Sequence, residues 1–304
     1  MPGQKTVNPK PEWLKIQLNT NREFKKVRSL VRDQRLTTVC EEARCPNIHE
    51  CWGEHGTATF MVLGDTCTRR CRFCAVKTGL PRSLDTDEPR RVAQSAAAMN
   101  LSHVVITMVN RDELADGGAG IVAETVRQIH ATSPGVTVEV LSSDLMGDRA
   151  SIEVICQSKP EIMSHNVETV RRLTPHVRSR STYERSLLFL RTAAEIDPES
   201  VIKSSLMLGL GETRDEILET MDDLLANSVR VLNLGQYLQP TRNHLAVERY
   251  WTPEEFAGLK DEALKRGFAH CDSGPMVRSS YHAGEQYELY RRRIHPLYQD
   301  RAEE

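Results

Sequence analysis

The residues best suited to chemistry in this chain are three cysteines in the run CTRRCRFC: Cys67, Cys71 and Cys74, spaced C-x3-C-x2-C. Three thiolates on one loop can bind three irons of a cubane cluster and leave the fourth iron open, whereas an electron-transfer cluster uses four fixed cysteines. A structural zinc site uses paired motifs, and the second pair is missing here, although His49 or His55 could add a ligand. The spacing of this core triad therefore favours an iron–sulfur cluster, with zinc as the alternative.

A second group, the N-terminal triad, lies upstream of the first. It consists of Cys40, Cys45 and Cys51, spaced C-x4-C-x5-C, while Cys156 and Cys271 stand alone far downstream. Structural cysteines rarely cluster in this way, so the N-terminal triad predicts a second, independent soft-metal site. Eight cysteines in 304 residues are too few for a disulfide scaffold. Together with a polar start that lacks an apolar signal core, they predict a cytoplasmic protein.

Regular secondary structure must position these cysteines. Short apolar or β-branched runs alternate with helical stretches from residue 57 onward, which is typical of repeated βα units around a parallel sheet. The six candidate strands cover residues 57–63, 102–109, 136–141, 160–164, 201–208 and 229–236. The pattern is compatible with an open doubly wound sheet or a partly closed barrel. No GxGxxG run follows the first strand, which disfavours a dinucleotide fold.

Two helices have clear start signals. Thr213 with Glu216, and Thr252 with Glu255, form capping boxes, and Gly267 is a suitable residue to end the second helix. We divide the chain into an N-terminal extension (1–55), a βα core (56–240) and a C-terminal extension (241–304). A formal net charge of -2 offers no broad field for nucleic acid or an anionic membrane. No apolar run approaches the roughly eighteen residues that span a bilayer.

The C-x3-C-x-aromatic-C run after the first of six βα units resembles the signature of the radical S-adenosylmethionine (SAM) enzymes. In that family the open iron binds SAM, and an electron from the cluster cleaves SAM to a 5′-deoxyadenosyl radical. The resemblance implies an α/β fold, a partial (β/α)6 barrel with two extensions, and so decides between the two sheet architectures.

The two triads, separated by fifteen residues, resemble those of the lipoyl synthases. Further agreeing runs are RDELADGG at 111–118, HNVET at 165–169, MLGLGET at 207–213, GQYLQP at 235–240 and SGPMVRSSYHA at 273–283. The resemblance implies two 4Fe-4S clusters, SAM, and insertion of sulfur at C6 and C8 of an octanoyl chain on a carrier-protein lysine. These carbons bear no acidic proton and no leaving group, so the reaction needs hydrogen-atom abstraction. The second cluster is then the sulfur donor.

The resemblance also implies individual site residues. The fourth ligand of the N-terminal cluster falls in the Arg-Ser-Ser-Tyr run; we place it on Ser280, with Ser279 and Cys271 as alternatives, and assign Arg278 a catalytic role. We expect contacts to SAM at the carboxyl ends of strands, from Phe73, Thr107, Asn110, Glu139, Asn166 and Lys203. The chain departs from the lipoyl synthase pattern at Ser142, Ser143, Arg171 and Ser205, none of which is a predicted cluster ligand.

The implied partners are three kinds of protein. They are an octanoylated lipoyl carrier protein, an electron donor such as ferredoxin or flavodoxin, and an iron–sulfur carrier that rebuilds the consumed cluster. We expect neither a nucleic-acid nor a membrane partner. The cations around the core triad are Arg69, Arg70, Arg72 and Lys77. They are predicted to steer an acidic carrier protein or to offset the charge of the cluster.

Overall fold

The structure, a computed structural model, describes residues 10–294 apart from 17, 19 and 55–57. The strands are β1 (Thr37–Thr38), β2 (Thr59–Val62), β3 (Thr66–Cys67), β4 (Lys77–Thr78), β5 (His103–Met108), β6 (Thr137–Leu141), β7 (Ile162–Ser164), β8 (Val201–Leu208), β9 (Val231–Gln236) and β10 (His270–Gly274). The helices are α1 (Arg22–Asp33), α2 (Val39–Glu42), α3 (Ile48–Gly53), α4 (Glu88–Ala98), α5 (Ala119–Thr132), α6 (Arg149–Cys156), α7 (Thr174–Val177), α8 (Tyr183–Ile196), α9 (Arg214–Ala226), α10 (Pro253–Arg266) and α11 (Ala283–Ile294).

Eight strands form one sheet in the order β1-β2-β5-β6-β7-β8-β9-β10. Every neighbouring pair is parallel except β1 with β2, which is antiparallel. The six predicted core strands are confirmed, although residue 57, at the start of the first, lies outside the described residues. This parallel sheet, with helices in the intervals, has the architecture of a partial barrel, as the resemblance implied.

Both predicted extensions add a strand to this sheet. β1 comes from the N-terminal extension, and β10, from the C-terminal extension, pairs in parallel with β9. The pattern rules missed β10 because its sequence, HCDSG, has neither an apolar run nor a clear alternation. The β3–β4 pair forms a separate two-stranded sheet, and it brackets the core triad loop.

The two capping boxes are present as predicted. Thr213 caps α9 and Thr252 caps α10, each with reciprocal hydrogen bonds to a glutamate three residues later. Gly267 ends α10 with a φ of 111°, a conformation that glycine adopts without strain. Within the described ranges, no helix is long and apolar enough to cross a membrane.

Helix α11 covers the amino end of the barrel. Its Tyr287 and Tyr290 pack against a small cluster of Ile162, Val201 and Val231. These three residues are the first in β7, β8 and β9, so the tyrosines lie beneath the starts of those strands. Ligand chemistry is therefore expected at the opposite, carboxyl end, where the connecting loops gather.

Candidate functional site

The core triad begins at Cys67, the last residue of β3, and continues with Cys71 and Cys74 on the loop that leads to β4. The Cys67 carbonyl accepts a hydrogen bond from the Gly79 N–H at 3.0 Å, which closes the base of the loop. The Cys74 N–H donates to the Cys71 carbonyl at 3.1 Å, so the chain turns back within the loop. Burial, together with the neighbouring Cys71 and Cys67 thiols, raises the pKa of Cys74 to about 12. The three thiols therefore share one site.

Arg69 holds this loop against the barrel. Its guanidinium, with a side chain only 1% exposed, pairs with Asp144 at 2.7 Å and with Asp112 at 2.8 Å, and it donates to the Ser181 hydroxyl at 2.8 Å. Burial alone would raise the pKa of Asp144, but the hydrogen bonds and charge of Arg69 hold it well below the usual range. Arg69 is thus unavailable for steering a carrier protein, which corrects that part of the prediction.

A second set of contacts holds the loop from its other side. The Nε2 atom of His244 lies 2.9 Å from the Cys74 carbonyl oxygen, and the Leu245 N–H donates to the Arg72 carbonyl at 3.1 Å. The Arg72 N–H in turn donates to the Val177 carbonyl at 2.9 Å. The loop that carries the core triad is therefore fixed by segments far away in the sequence.

The N-terminal triad is spread over two short helices. Cys40 lies in α2, Cys51 lies in α3, and Cys45 lies between them with its N–H donating to the Cys40 carbonyl at 3.0 Å. Cys40 packs in an apolar cluster with Trp52 and residues of α1. Burial and the nearby Cys45 raise the pKa of Cys40 to about 11, and burial with both other thiols raises the pKa of Cys51. These three thiols also share one site.

The donor sets fit iron–sulfur clusters. Burial raises the pKa of Cys71 and Cys74 in one triad, and of Cys40, Cys45 and Cys51 in the other. Thiols held close together in this way cannot all ionise without a compensating cation, which a cluster provides. In the part of the chain that the structure describes, no three His, Cys, Asp or Glu side chains converge to hold a single metal ion. Cluster ligands bind separate irons and need no such convergence. The zinc alternative gains no support from His49, and His55 lies outside the described residues.

The segment after β10 crosses the end of β9 to reach the N-terminal triad. A Cβ atom on Gly235 would lie 2.0 Å from the Val277 carbonyl oxygen, so only glycine leaves room for this crossing. The side-chain amide of Asn233 donates to the carbonyls of Arg278 and Ser279, both at 3.1 Å. Two residues of β9 therefore set the path of the Arg-Ser-Ser-Tyr run.

Ser280 reaches the N-terminal triad at the end of this path. The Thr59 hydroxyl donates to the Ser280 hydroxyl oxygen at 3.0 Å, and the Tyr281 hydroxyl donates to Glu50 in α3 at 2.6 Å. A cavity of about 1110 Å³ is lined by Ser280 together with Cys40, Cys45 and Cys51. Neither Ser279 nor the buried Cys271 in β10 lines this cavity. Of the three ligand candidates, the structure brings Ser280 to the triad.

A second cavity, of about 480 Å³, lies at the carboxyl ends of the barrel strands. Its volume is in the range of small-molecule sites. It is lined by the core triad and by four residues predicted to contact SAM: Phe73, Thr107, Asn110 and Asn166. Ser142, Ser143 and Ser205 line this barrel cavity too, whereas Arg171 is exposed on the outer surface. Cys45, Arg278 and Ser280 line both cavities, so the two triads lie on two sides of one space.

Glu139 and Lys203 lie elsewhere. They form a buried ion pair with each other at 2.9 Å, and neither lines the barrel cavity. Lys203 is the third residue of the eight-residue β8, and Glu139 is in the middle of β6, so both side chains lie below the carboxyl ends of their strands. Their predicted contact with SAM therefore has no support from the geometry.

Two cavity residues were missed by the sequence analysis. Glu168 accepts a hydrogen bond from the Asn166 amide at 3.2 Å, and burial raises its pKa. Arg178 is buried near Glu168 and Cys71, and donates to the Ser186 hydroxyl at 2.6 Å. Glu168 follows Asn166 by two positions in HNVET, which is a usable signal. Arg178 has no comparable sequence signal, because tertiary folding alone brings it to the cavity.

Family models agree with the features above. The model described as the radical SAM superfamily matches residues 61–224, more than half of the chain. The model described as the N-terminal domain of lipoyl synthase of the radical SAM family matches residues 3–45.

Curated relatives are similar over nearly the whole chain. The lipoyl synthases of Halalkalibacterium halodurans and Bacillus subtilis are each 61% identical over 277 residues, which is 91% of this chain. The match covers 91% of the first protein and 93% of the second. The lipoyl synthase of Staphylococcus haemolyticus is 57% identical over 295 residues, 97% of this chain and 96% of its own.

Solved structures share the fold at low sequence identity. Methylornithine synthase matches with a TM-score of 0.56 at 13% identity, over 80% of this chain and 74% of its own. The hydrogenase maturase HydG from Carboxydothermus hydrogenoformans matches with a TM-score of 0.55 at 14% identity, over 78% of this chain and 69% of its own. At these identities the likeness supports the fold alone.

Proposed function

This chain belongs to the lipoyl synthase family, and we propose that its two triads hold the two 4Fe-4S clusters of that family's reaction. The reaction inserts sulfur at C6 and C8 of an octanoyl group carried by a protein. When bound, SAM and the two clusters supply the 5′-deoxyadenosyl radical and the sulfur. The chain itself must hold these groups, orient the octanoyl chain between them and exclude water.

The core triad and the barrel cavity form the SAM side of the site. Cys67, Cys71 and Cys74 would hold a cluster with one iron free of a protein ligand, and the cavity that these cysteines line would receive SAM. Phe73, Asn110 and Asn166 line this space, and the Asn166 amide is oriented by its hydrogen bond to Glu168. Arg178 adds a buried cation close to Cys71, which offsets negative charge at this side.

Ser280 is the proposed fourth ligand of the N-terminal cluster. A serine binds iron through its deprotonated oxygen, and the hydrogen bond donated by Thr59 at 3.0 Å stabilises negative charge on that oxygen. Arg278 lies at the boundary of both cavities, with its guanidinium bound to the Val277 carbonyl at 2.6 Å. Its charge acts on Cys45, so we assign it the role of offsetting the cluster's negative charge.

One observation carries this proposal: Cys45, Arg278 and Ser280 line both cavities. When bound, SAM beside Cys67, Cys71 and Cys74 would supply hydrogen-atom abstraction, and a cluster held by Cys40, Cys45, Cys51 and Ser280 would supply sulfur to the same substrate carbon. Both events need that carbon within reach of both sides without release into water. A barrel cavity bounded by the core triad on one side and by Cys45 and Ser280 on the other meets this requirement.

The test is an anaerobic count of iron, sulfide and zinc per reconstituted chain, combined with sulfur insertion into an octanoylated carrier. We expect about eight irons in the parent and about four in either triple-alanine variant of a triad. Ser280→Ala should keep the core cluster and lose sulfur insertion, whereas Cys271→Ala should retain both. Stoichiometric zinc, or an iron count that neither triple variant lowers, would overturn the assignment.

We also propose the finer organisation that the sequence implied. The three segments 1–55, 56–240 and 241–304, and the partners ferredoxin or flavodoxin and an iron–sulfur carrier, are part of this proposal. The cavity at the N-terminal triad, about 1110 Å³ in volume, supports access for cluster rebuilding. Eight free cysteines support a reducing compartment such as the cytoplasm.

A further inference from the structure

The exposed residues at the rim of the barrel cavity have a distinct charge. Of the described residues that line this cavity, four are exposed: Lys10, Ile16, Arg44 and Thr78. Both charged members are cations. The two carboxylates of the lining, Asp144 and Glu168, are not exposed; Asp144 is paired with Arg69, and Glu168 accepts from Asn166. The rim therefore presents only positive charge to solvent.

These cations have no carboxylate partner among the described residues. Some exposed arginines are paired, as Arg90 is with Asp87, Arg149 with Glu195 and Arg172 with Glu216, whereas others, such as Arg32 on α1, form no ion pair among the described residues. Within the described ranges, Lys10 and Arg44 form no ion pair with a carboxylate. Arg70 and Arg72 form none there either; both are exposed on the core triad loop, and other residues of that loop line the cavity. We call Lys10, Arg44, Arg70 and Arg72 the cationic rim.

Three carboxylates of neighbouring elements form no ion pair with Arg44. Glu41 and Glu42 belong to α2, and Asp65 is paired with Lys77 at 3.6 Å. None of these carboxylates lines the barrel cavity. Approach to the cavity therefore passes cations that have no carboxylate partner in the described part of the chain, held by the segment before the barrel and by the core triad loop. Of these, the Arg72 guanidinium lies 2.8 Å from the His176 ring.

We propose that the cationic rim is the docking surface for an acidic face of the carrier protein around its octanoyl-lysine, an inference that rests on the proposed function. A cavity of about 480 Å³ accepts an octanoyl chain but not a folded protein, so the body of the carrier must rest on the rim. Unpaired cations attract a surface of opposite charge and speed its association. The half-exposed Ile16 adds an apolar contact at the same place.

The test compares two substrates on the reconstituted enzyme, with dithionite as the reductant. One is an acidic octanoylated carrier domain, and the other is a short octanoyl-lysyl peptide that reaches the cavity without touching the rim. The variant is Lys10→Glu with Arg44→Gln. Its matched control is Lys25→Glu with Arg32→Gln on α1, where both residues are exposed and line neither cavity. Iron counts verify that both clusters are loaded.

We expect kcat/KM for the carrier domain to fall about tenfold at low salt in the rim variant, and the difference from the parent to shrink as salt is added. Peptide turnover and the control variant should match the parent. An equal loss on both substrates, or no loss on the carrier, would overturn the docking surface. A loss of turnover seen only when flavodoxin replaces dithionite would assign the rim to binding of the electron donor, and it would also overturn the carrier docking surface. A loaded parent that modifies neither substrate would contradict the proposed function itself.

Discussion

The core triad is built from one short stretch of chain, whereas the N-terminal triad shares its cavity with Ser280, a residue from the other end of the chain. Cys67, Cys71 and Cys74 lie within eight residues. The hydrogen bond that places Ser280 beside the N-terminal triad spans 221 positions, and the Tyr281–Glu50 bond spans 231. The first site is a local motif that the fold holds in place, and the second exists only once both chain ends have docked.

The two sites also differ in how they are held. A buried ion-pair network around Arg69 fixes the core triad loop, and breaking such a network is costly. The Ser280 segment is held by individual hydrogen bonds, each of which contributes about 1 kcal/mol. We infer that the Ser280 segment separates from the N-terminal triad more easily than the core triad loop separates from the barrel. This suits a cluster that gives up its sulfur and must be replaced.

The largest effect is expected from Arg69→Met. Removing the guanidinium leaves the buried Asp144 carboxylate without its cation, which should lower the free energy of unfolding by about 3–5 kcal/mol. Iron should be lost from the core triad first, because Arg69 lies in that loop. Denaturant unfolding and an iron count measure both. Arg149→Met is the matched control: its pair with Glu195 is exposed, so it should change stability by less than about 1 kcal/mol.

Acidification provides a second readout of the same pair. The folded-state pKa of Asp144 is held below its ordinary value. The Arg69–Asp144 pair therefore stabilises the folded protein at pH values above the ordinary pKa range of aspartate, and this stabilisation is lost as pH falls toward the lowered pKa. Stability of the parent should therefore decline with acid more steeply than that of Arg69→Met. Parallel declines would show that Arg69 does not set the charge state of Asp144.

A smaller effect is expected from Gly235→Ala. The added Cβ would meet the Val277 carbonyl oxygen at 2.0 Å and displace the segment that carries Ser280, at a cost of about 1–3 kcal/mol. Iron should be lost from the N-terminal site while the core cluster stays loaded. Gly258→Ala on the exposed side of α10 is the control, because nothing lies within 4 Å of its added Cβ. Loss of core iron instead would contradict the separation of the two sites.

The smallest effect is expected from Tyr281→Phe. It removes the hydrogen bond to Glu50 at 2.6 Å and should cost about 1–2 kcal/mol. A chelator should extract iron from the N-terminal site faster than in the parent, with core iron released at the parental rate. Tyr183→Phe is the matched control, since it removes a phenol–carboxylate bond to Asp223 at 2.9 Å and Tyr183 lines neither cavity. Equal release rates in the two variants would show that the Tyr281 contact does not hold the site.

Much of the barrel could be predicted from the sequence. The six core strands are apolar runs between helices, and the boxes at Thr213 and Thr252 mark helix starts through local hydrogen bonds. β10 could not be predicted, because its polar sequence becomes a strand only by pairing with β9. The predicted contacts of Glu139 and Lys203 with SAM stay without support from the geometry for a related reason: a position on a strand does not give its depth in the barrel.

The sequence by itself determined which thiols belong together, since the ligands of the core triad lie on one short loop and their spacing is a property of the local chain. Only the tertiary structure decided that Ser280 meets the N-terminal triad, that Arg69 is buried and Lys10 and Arg44 are exposed, and that both triads border one cavity. The physical reason is that these relations depend on the crossing of the C-terminal segment over Gly235 and on the burial of charge. Both depend on contacts between residues that are far apart in the sequence, in some cases by more than a hundred positions. No local sequence pattern contains this information.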